Sequence, residues 1–237
     1  KALSVAGSNT ETTLETAALP HAPEVIDVPP VNSFRRPPRL SLAIRGVGGQ
    51  GNLFFGKVLA QVAFLAGYDD RNILKGETHG MAQMGGPVIS TFGCGEVFSP
   101  ALVPGTANVL IAMEKAEALR PGFLDLLEPG GTVLMADTRI LPHGLKPEAY
   151  PSDEAIAAQL EGYHVVTVDV LNIALSLGDP KGRCANVAML GVLSTLPPFD
   201  VVPEAVWLQA LKGISRKPAL WDLNHAAFMA GRGMQKG

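Results

Sequence analysis

Apolar positions along this chain fall into short uninterrupted runs that alternate with longer segments of helical spacing. Five runs have the length and apolar character of buried strands: Leu40–Val47, Val88–Phe92, Val109–Met113, Val133–Asp137 and His164–Val170. Apolar residues at helical spacing predict helices in six segments: Leu53–Ala66, Glu117–Leu127, Pro151–Leu160, Leu171–Leu177, Asn186–Leu196 and Glu204–Leu211. Strands that alternate with helices predict an α/β fold, with a Rossmann-like, mostly parallel sheet covered by helices on both faces.

Residues 1–39 differ in amino-acid composition from the rest of the chain. They are rich in Ser, Thr, Glu, Ala and Pro, with Pro29–Pro30 and Pro37–Pro38 close to the end of the segment. This composition predicts a linker or an extended arm before a domain that spans residues 40–237. A disordered tail and an arm laid across a partner are equally consistent with it.

Composition narrows the class of protein. The net charge is −3, no Lys/Arg-rich run is present, and no apolar stretch reaches the roughly 18 residues of a membrane span. We therefore expect a cytoplasmic protein that binds neither nucleic acid nor membrane. Cys94 and Cys184 are too few for a disulfide framework or an iron–sulfur cluster, so we expect core cysteines and no metal site.

A glycine-rich turn follows the first strand. Gly46, Gly48 and Gly51 fit the pattern GxGxxG between a strand and a helix, where backbone N–H groups at the start of the helix can bind a phosphate. An empty turn remains an alternative, as does an NAD- or flavin-dependent enzyme. The NAD alternative needs an acidic residue at the end of the second strand. Asp69 and Asp70 follow a helix stop instead, and Glu77 follows only a weak strand pattern.

A second glycine-rich segment, residues 77–90, reads ETHGMAQMGGPVIS. Glu77, His79 and Gln83 bring a carboxylate, an imidazole and an amide together, and Gly85–Gly86–Pro87 predicts a turn into the next strand. A segment of this composition, directly after a glycine turn of the nucleotide-binding type, is more typical of a functional loop than of a surface loop without a function. Elsewhere, we expect Glu114 and Glu117 to share a solvated helix face and Asn186 to cap a helix.

These motifs resemble the gamma-type component of 2-oxoacid:ferredoxin oxidoreductases, most closely the small subunit of indolepyruvate:ferredoxin oxidoreductase. That family opens with GVGGQG after a strand and continues with E-x-HGM-x-Q-x-GG-x-V-x-S, as this chain does at 46–51 and 77–90. The resemblance extends over most of residues 40–231, through GEVFSP at 95–100, ANVLIAMEKAEAL at 107–119, PGGTVLMADT at 129–138 and NHAAFMAG at 224–231.

The resemblance implies a subunit that does not turn over alone and supplies no catalytic residue. Thiamine diphosphate, Mg²⁺ and [4Fe–4S] clusters would belong to partner subunits, and ferredoxin or an NAD/flavin subunit would accept the electrons. An aryl 2-oxoacid such as indolepyruvate or phenylglyoxylate would be converted to an acyl-CoA. Coenzyme A or another phosphate-bearing group would bind Gly46, Gly48, Gly49, Gln50, Gly51, Gly85 and Gly86.

The same resemblance places Glu77, His79, Gly80 and Gln83 at the interface with the thiamine-bearing subunit. A non-catalytic scaffold remains an alternative. The opening residues Lys1–Val5 also resemble the tail of a bacterial ferredoxin, which would place a ferredoxin-like module before residue 1.

Overall fold

The computed structural model describes residues 19–77, 86–141, 146–215 and 217–234 of the 237-residue chain. A six-stranded sheet forms its centre, in the order β2-β3-β1-β4-β5-β6. The strands are β1 (Arg39–Val47), β2 (Ile73–Glu77), β3 (Pro87–Gly95), β4 (Ala107–Ala112), β5 (Leu127–Ala136) and β6 (His164–Val168).

Most of the sheet is parallel, which confirms the sequence prediction. β1 pairs in parallel with β4, β4 with β5, and β5 with β6, whereas β3 is antiparallel to both β1 and β2. Within this sheet, β3 therefore runs against the other strands. The carboxyl ends of β1, β2, β4, β5 and β6 meet at one edge, here called the carboxyl edge; the opposite one is the amino edge.

Six α-helices cover the sheet in the described residues: α1 (Asn52–Leu65), α2 (Asp153–Gln159), α3 (Val170–Ser176), α4 (Ala185–Leu193), α5 (Glu204–Ile214) and α6 (Pro218–Gly233). The largest core cluster joins α1, α3, α4, α5 and α6 to one face of the sheet. α2 packs Ile156 and Leu160 against Ala112 and Met135 on the other face. Helices on both faces match the expected α/β architecture.

The prediction of a helix over Glu117–Leu127 is wrong. This region forms two 3-10 turns, Lys115–Leu119 and Leu124–Leu126, with Pro121 and Gly122 between them. Gly122 has a φ of +77°, in the left-handed region, and proline lacks the N–H that a continuous helix needs. The apolar spacing reflects a turn-rich segment packed on the sheet.

The described residues before β1 lie against helices and loops of the same chain. The Ala22 N–H donates to Asp222 Oδ1 (2.9 Å), and the Trp221 indole N–H donates to the Pro23 carbonyl (3.2 Å). Further along, the Tyr68 hydroxyl donates to the Pro37 carbonyl (2.8 Å). Residues 19–38 thus cover part of the helical face, while residues 1–18 lie outside the described residues. No helix in the described part of the chain has the length and apolarity needed to cross a membrane.

Candidate functional site

The glycine turn lies at the carboxyl edge, between the end of β1 and the start of α1. Gly46 belongs to β1, and a Cβ there would approach Gln50 Oε1 to 2.7 Å and the Met113 Cβ to 3.0 Å. Gly49 has a φ of +104°, and a Cβ there would meet nothing within 4 Å. Close packing therefore requires glycine at 46, whereas backbone conformation favours it at 49, next to open space.

Gln50 fixes the shape of this turn. Its Oε1 accepts a hydrogen bond from the Val47 N–H (2.7 Å), and its Nε2 donates to the Met113 carbonyl (2.7 Å). The side chain thereby ties the end of β1 to the end of β4. Its assignment to a ligand stays a prediction, and the structure shows an amide engaged with the turn itself.

The two glycine-rich segments meet at the carboxyl edge. The Gly48 N–H donates to the Gly86 carbonyl (2.8 Å), and Val47 is in register with Pro87. Glu77 ends β2 at the same edge, with its Oε1 3.7 Å from Lys75 Nζ. His79, Gly80, Gln83 and Gly85 lie outside the described residues. Because the Gly48 N–H is engaged, the N–H groups best placed for a ligand are at Gly49 and in the first turn of α1.

The amino terminus of α1 has no side-chain cap. Gly51 occupies the N-cap position with a φ of 85° and no capping hydrogen bond. Asn52, the first residue of α1, is buried, and neither its Oδ1 nor its Nδ2 has a hydrogen-bond partner among the described residues. The helix dipole and the unpaired N–H groups of a first turn favour an anion at this position.

Asn186 reaches the same turn from α4. Its Nδ2 would lie 2.3 Å from a Cβ on Gly51, and its Oδ1 is buried without a partner in the described residues. The prediction that Asn186 caps α4 is wrong, because Cys184 is the N-cap residue and Asn186 is the second residue of the helix. Sequence reasoning missed the contact because it depends on how α4 packs beside α1.

A cavity of about 480 Å³ opens beside the turn, over the carboxyl ends of β1, β4 and β5. Two glutamates in its wall, Glu114 and Glu117, are each only 2% exposed, so the prediction of a solvated face is wrong. Glu117 pairs with Arg45 (Oε2–Nε, 3.3 Å) and with Arg120 (Oε1–Nη2, 2.7 Å).

Glu114 has neutral hydrogen-bond partners instead. Tyr150 donates its hydroxyl to Glu114 Oε1, and the backbone N–H of Glu117 donates to Oε2 (3.1 Å). Burial raises the pKa of the Glu114 carboxyl group, although these hydrogen bonds oppose the shift. The wall therefore holds one carboxylate clamped by arginines and one in a mostly neutral environment.

The cysteines are core residues, as expected. Cys94 and Cys184 are both buried, and burial raises the pKa of each thiol to about 12. Within the described ranges, no group of three or more His, Cys, Asp and Glu side chains is arranged to hold a metal ion.

The sequence of this chain is similar to those of known proteins. The sequence model of the pyruvate ferredoxin/flavodoxin oxidoreductase family matches residues 41–234. Indolepyruvate oxidoreductase subunit IorB of Archaeoglobus fulgidus is 35% identical over 159 residues, which cover 65% of this chain and 76% of that protein. The corresponding subunit of Thermococcus kodakarensis is 33% identical over 197 residues, which cover 81% of this chain and 93% of that protein.

The fold is also similar to a solved structure. The 2-oxoglutarate:ferredoxin oxidoreductase of Magnetococcus marinus, solved with 2-oxoglutarate, coenzyme A and succinyl-CoA bound, superposes with a TM-score of 0.61 at 20% identity. The match covers 85% of this chain and 32% of that one. The family match over residues 41–234 and the 33% identity to the Thermococcus subunit show that the chain belongs to the pyruvate ferredoxin/flavodoxin oxidoreductase family.

Proposed function

We propose that this chain is the small subunit of a cytoplasmic 2-oxoacid:ferredoxin oxidoreductase and acts only in complex with its partner subunits. The observation that carries the proposal is the family match over residues 41–234, combined with 33% identity across 93% of the Thermococcus subunit. The names of the IorB relatives favour an aryl 2-oxoacid such as indolepyruvate as the substrate. The product would be an acyl-CoA, since the Magnetococcus enzyme of similar fold was solved with coenzyme A and succinyl-CoA bound. Ferredoxin, or an NAD/flavin subunit, would accept the electrons.

Partner subunits would hold thiamine diphosphate, Mg²⁺ and [4Fe–4S] clusters, which supply the carbanion and electron-transfer chemistry. The described residues of this chain do not fit an iron–sulfur cluster. A cluster needs several thiolates, whereas Cys94 and Cys184 are buried with raised pKa values. The role that we assign to this subunit is therefore to position coenzyme A or to cover the active site, with Glu77, His79, Gly80 and Gln83 at the interface.

The glycine turn would bind the phosphate groups of coenzyme A. Three features support this assignment: the uncapped start of α1, the open space beside Gly49, and the buried Nδ2 group of Asn52, a donor without a partner among the described residues. A phosphate oxygen accepts hydrogen bonds from first-turn N–H groups, and a negative charge is favoured at the positive end of the helix dipole. Gly46 and Gln50 would act through the shape of the turn, not by direct contact.

An ordinary NAD-binding domain fits the sheet less well. Glu77 does end a strand, so an acidic residue is present where a ribose ligand would need one. However, β3 lies between β2 and β1, which separates Glu77 from the glycine turn by about 10 Å, twice the spacing of neighbouring strands. In a dinucleotide fold the acidic residue lies on the strand next to the glycine turn. The inserted β3 therefore argues against the NAD alternative.

Anaerobic purification of the chain with its native partners tests the proposal. We expect subunits that carry thiamine diphosphate and iron to copurify, and we expect aryl 2-oxoacids to reduce methyl viologen only when coenzyme A is present. Pyruvate and 2-oxoglutarate serve as matched substrates and should react more slowly than indolepyruvate. A chain that purifies alone, or with bound NAD or flavin and no activity towards 2-oxoacids, would contradict the proposal.

A further inference from the structure

We infer that the outer side of β6, which faces away from β5, is an interface through which two copies of this chain pair, so that their sheets join into one. The inference goes beyond the proposed function and does not depend on it. It rests on backbone groups and apolar side chains of a strand that β4 and β5 separate from the glycine turn.

β6 leaves four backbone groups unpaired at the end of the sheet. It pairs with β5 on one side, and none of the described strands pairs with its outer side. The Asp137 N–H donates to the Val168 carbonyl (2.7 Å), so Val168 turns its backbone groups towards β5. Because these groups alternate along a strand, Val166 also faces β5, whereas Val165 and Thr167 direct one N–H and one carbonyl each to the outer side.

The outward groups are complementary to those of a second copy. In an antiparallel pair with a two-fold axis at Val166, the groups of Val165 meet those of Thr167 in the other copy, and each such pair exchanges two hydrogen bonds. This register satisfies all four outward groups of both copies. A contact that a two-fold axis repeats is the isologous arrangement of most homodimers. The occupant that fits the outer side of β6 is therefore a second β6.

Apolar side chains flank the strand on both faces of the sheet. On one face, α3 follows β6 and packs on α4 and α6, which leaves Leu171 and Leu175 43% and 58% exposed. On the other face, a cavity of about 320 Å³ between α2 and β6 is lined by apolar side chains that include Leu160 and Val165. The two-fold axis is perpendicular to the sheet, so α3 of one copy would lie on the same face as α3 of the other. Burial of the exposed leucines would then add to the hydrogen bonds.

The opposite end of the sheet differs in composition. β2 is also an edge strand, and it carries Lys75, Gly76 and Glu77 among its five residues. Charged residues and glycine on an edge strand disfavour pairing with another chain. β6 reads HVVTV, without Lys, Arg, Asp, Glu, Gly or Pro, and its β-branched residues favour contacts across paired strands. Of the two edge strands, β6 is therefore the one suited to pairing.

Sedimentation equilibrium of the isolated full chain measures the association. We expect a reversible monomer–dimer equilibrium at micromolar concentration. Thr167→Pro removes an outward N–H without breaking the ladder to β5, and it should weaken dimerisation by at least about tenfold. Thr167→Val is the matched control, because it keeps the N–H and the β-branched shape, and it should dimerise like the wild type. A wild type that stays monomeric up to millimolar concentration, or equal dimerisation of the proline and valine variants, would overturn the inference.

A surface pair of variants keeps the test valid if Thr167→Pro folds poorly. Leu175 in α3 and Phe64 in α1 are both 58% exposed. Leu175→Lys should weaken dimerisation by at least about tenfold, because it removes apolar surface and brings two lysines close together at the interface. Phe64→Lys should leave dimerisation unchanged. Equal losses would show that exposed apolar surface in general, not the β6 side, drives the association.

Cysteine cross-linking tests the register. The two copies of Val166 would face each other with Cα atoms about 4.5 Å apart, within reach of a disulfide, whereas the two copies of Thr167 would lie diagonally, roughly 7–8 Å apart and too far to bridge. Cys94 and Cys184 are buried, so they do not compete. Under mild oxidation we expect Val166→Cys to form a disulfide-linked dimer and Thr167→Cys, although more exposed, to form little. Equal or faster cross-linking of Thr167→Cys would overturn the inference.

Discussion

The amino edge and the carboxyl edge of the central sheet differ in whether their buried polar groups have hydrogen-bond partners within the chain. At the amino edge, Asn108 accepts a hydrogen bond from the Ser41 N–H (2.8 Å) and donates to Glu128 (2.6 Å). Glu128 in turn pairs with Arg39 at 2.7 Å. Each polar side chain of this network has its partner within the chain.

At the carboxyl edge, the buried side chains of Asn52, Asn186 and Thr138 carry polar atoms without partners in the described residues. Trp207 Nε1 in α5 shares this property. A buried polar group without a partner costs about 1–3 kcal/mol. The amino edge therefore contributes to stability, whereas the carboxyl edge retains groups whose partners can come from a ligand or another subunit.

The largest effect on stability is expected at the amino edge. Asn108→Ala removes both hydrogen bonds and leaves the buried Ser41 N–H unpaired, which should lower the free energy of unfolding by about 2–3 kcal/mol. Urea unfolding monitored by circular dichroism measures the change. If Asn108→Ala lowered the free energy of unfolding by less than about 1 kcal/mol, the two edges would not differ in their contribution to stability.

Gln50→Ala tests the part of the carboxyl edge that is internally bonded. The substitution removes the links from Gln50 to Val47 and to Met113 and should lower the free energy of unfolding by about 1–2 kcal/mol. The same unfolding experiment measures it. A neutral result would show that the turn holds its shape without this amide.

Asn186→Ala should have a smaller effect on unfolding. The Asn186 Oδ1 has no hydrogen bond to lose among the described residues, so we expect a change within about 1 kcal/mol. The substitution also serves as the control for Asn108→Ala, because both asparagines are buried. A loss equal to that of Asn108→Ala would indicate that Asn186 is fully engaged in the folded chain.

The smallest effect is a pH dependence from Glu114. Its pKa in the folded chain is raised above the ordinary 4.5, so the unfolded chain releases this proton first as the pH rises. The stability of the wild type should therefore fall relative to Glu114→Gln as the pH increases from 4.5 through the folded pKa. Unfolding of both proteins across this window measures the difference, and a constant difference would contradict the role of burial.

Local signals made the first strand, the glycine turn and the first helix predictable from sequence. The apolar run of β1, the glycines after it and the spacing of α1 are all contained within residues 39–66, and the structure reproduces them. The wrong helix over Glu117–Leu127 shows the limit. Apolar spacing alone favoured a helix there, although Pro121 and Gly122 already carried the signals that interrupt it.

The cavity could not be predicted in the same way. Glu114 meets Tyr150, 36 residues later, and Glu117 meets Arg45, 72 residues earlier. Spacing within one segment cannot show such partners, so the sequence pattern predicts a solvated face for two glutamates that are buried in the structure. The glycine segments were predicted individually, while the hydrogen bond from Gly48 to Gly86 depends on the antiparallel insertion of β3.

Titration of the chain with coenzyme A tests most directly whether the glycine turn at the carboxyl edge binds the phosphate groups of coenzyme A. Gly49→Ala places a methyl group in the open space beside α1, and Gly105→Ala does the same near the amino edge. Both residues have a positive φ, +104° and +74°, and neither Cβ would meet an atom within 4 Å, so both substitutions strain the backbone without a steric clash, the one at Gly49 more strongly. We predict at least about a tenfold loss of coenzyme A affinity for Gly49→Ala and wild-type affinity for Gly105→Ala, as expected when direct contacts to a phosphate are blocked. Equal affinities in the two variants, or absence of coenzyme A binding to the wild type, would contradict the account.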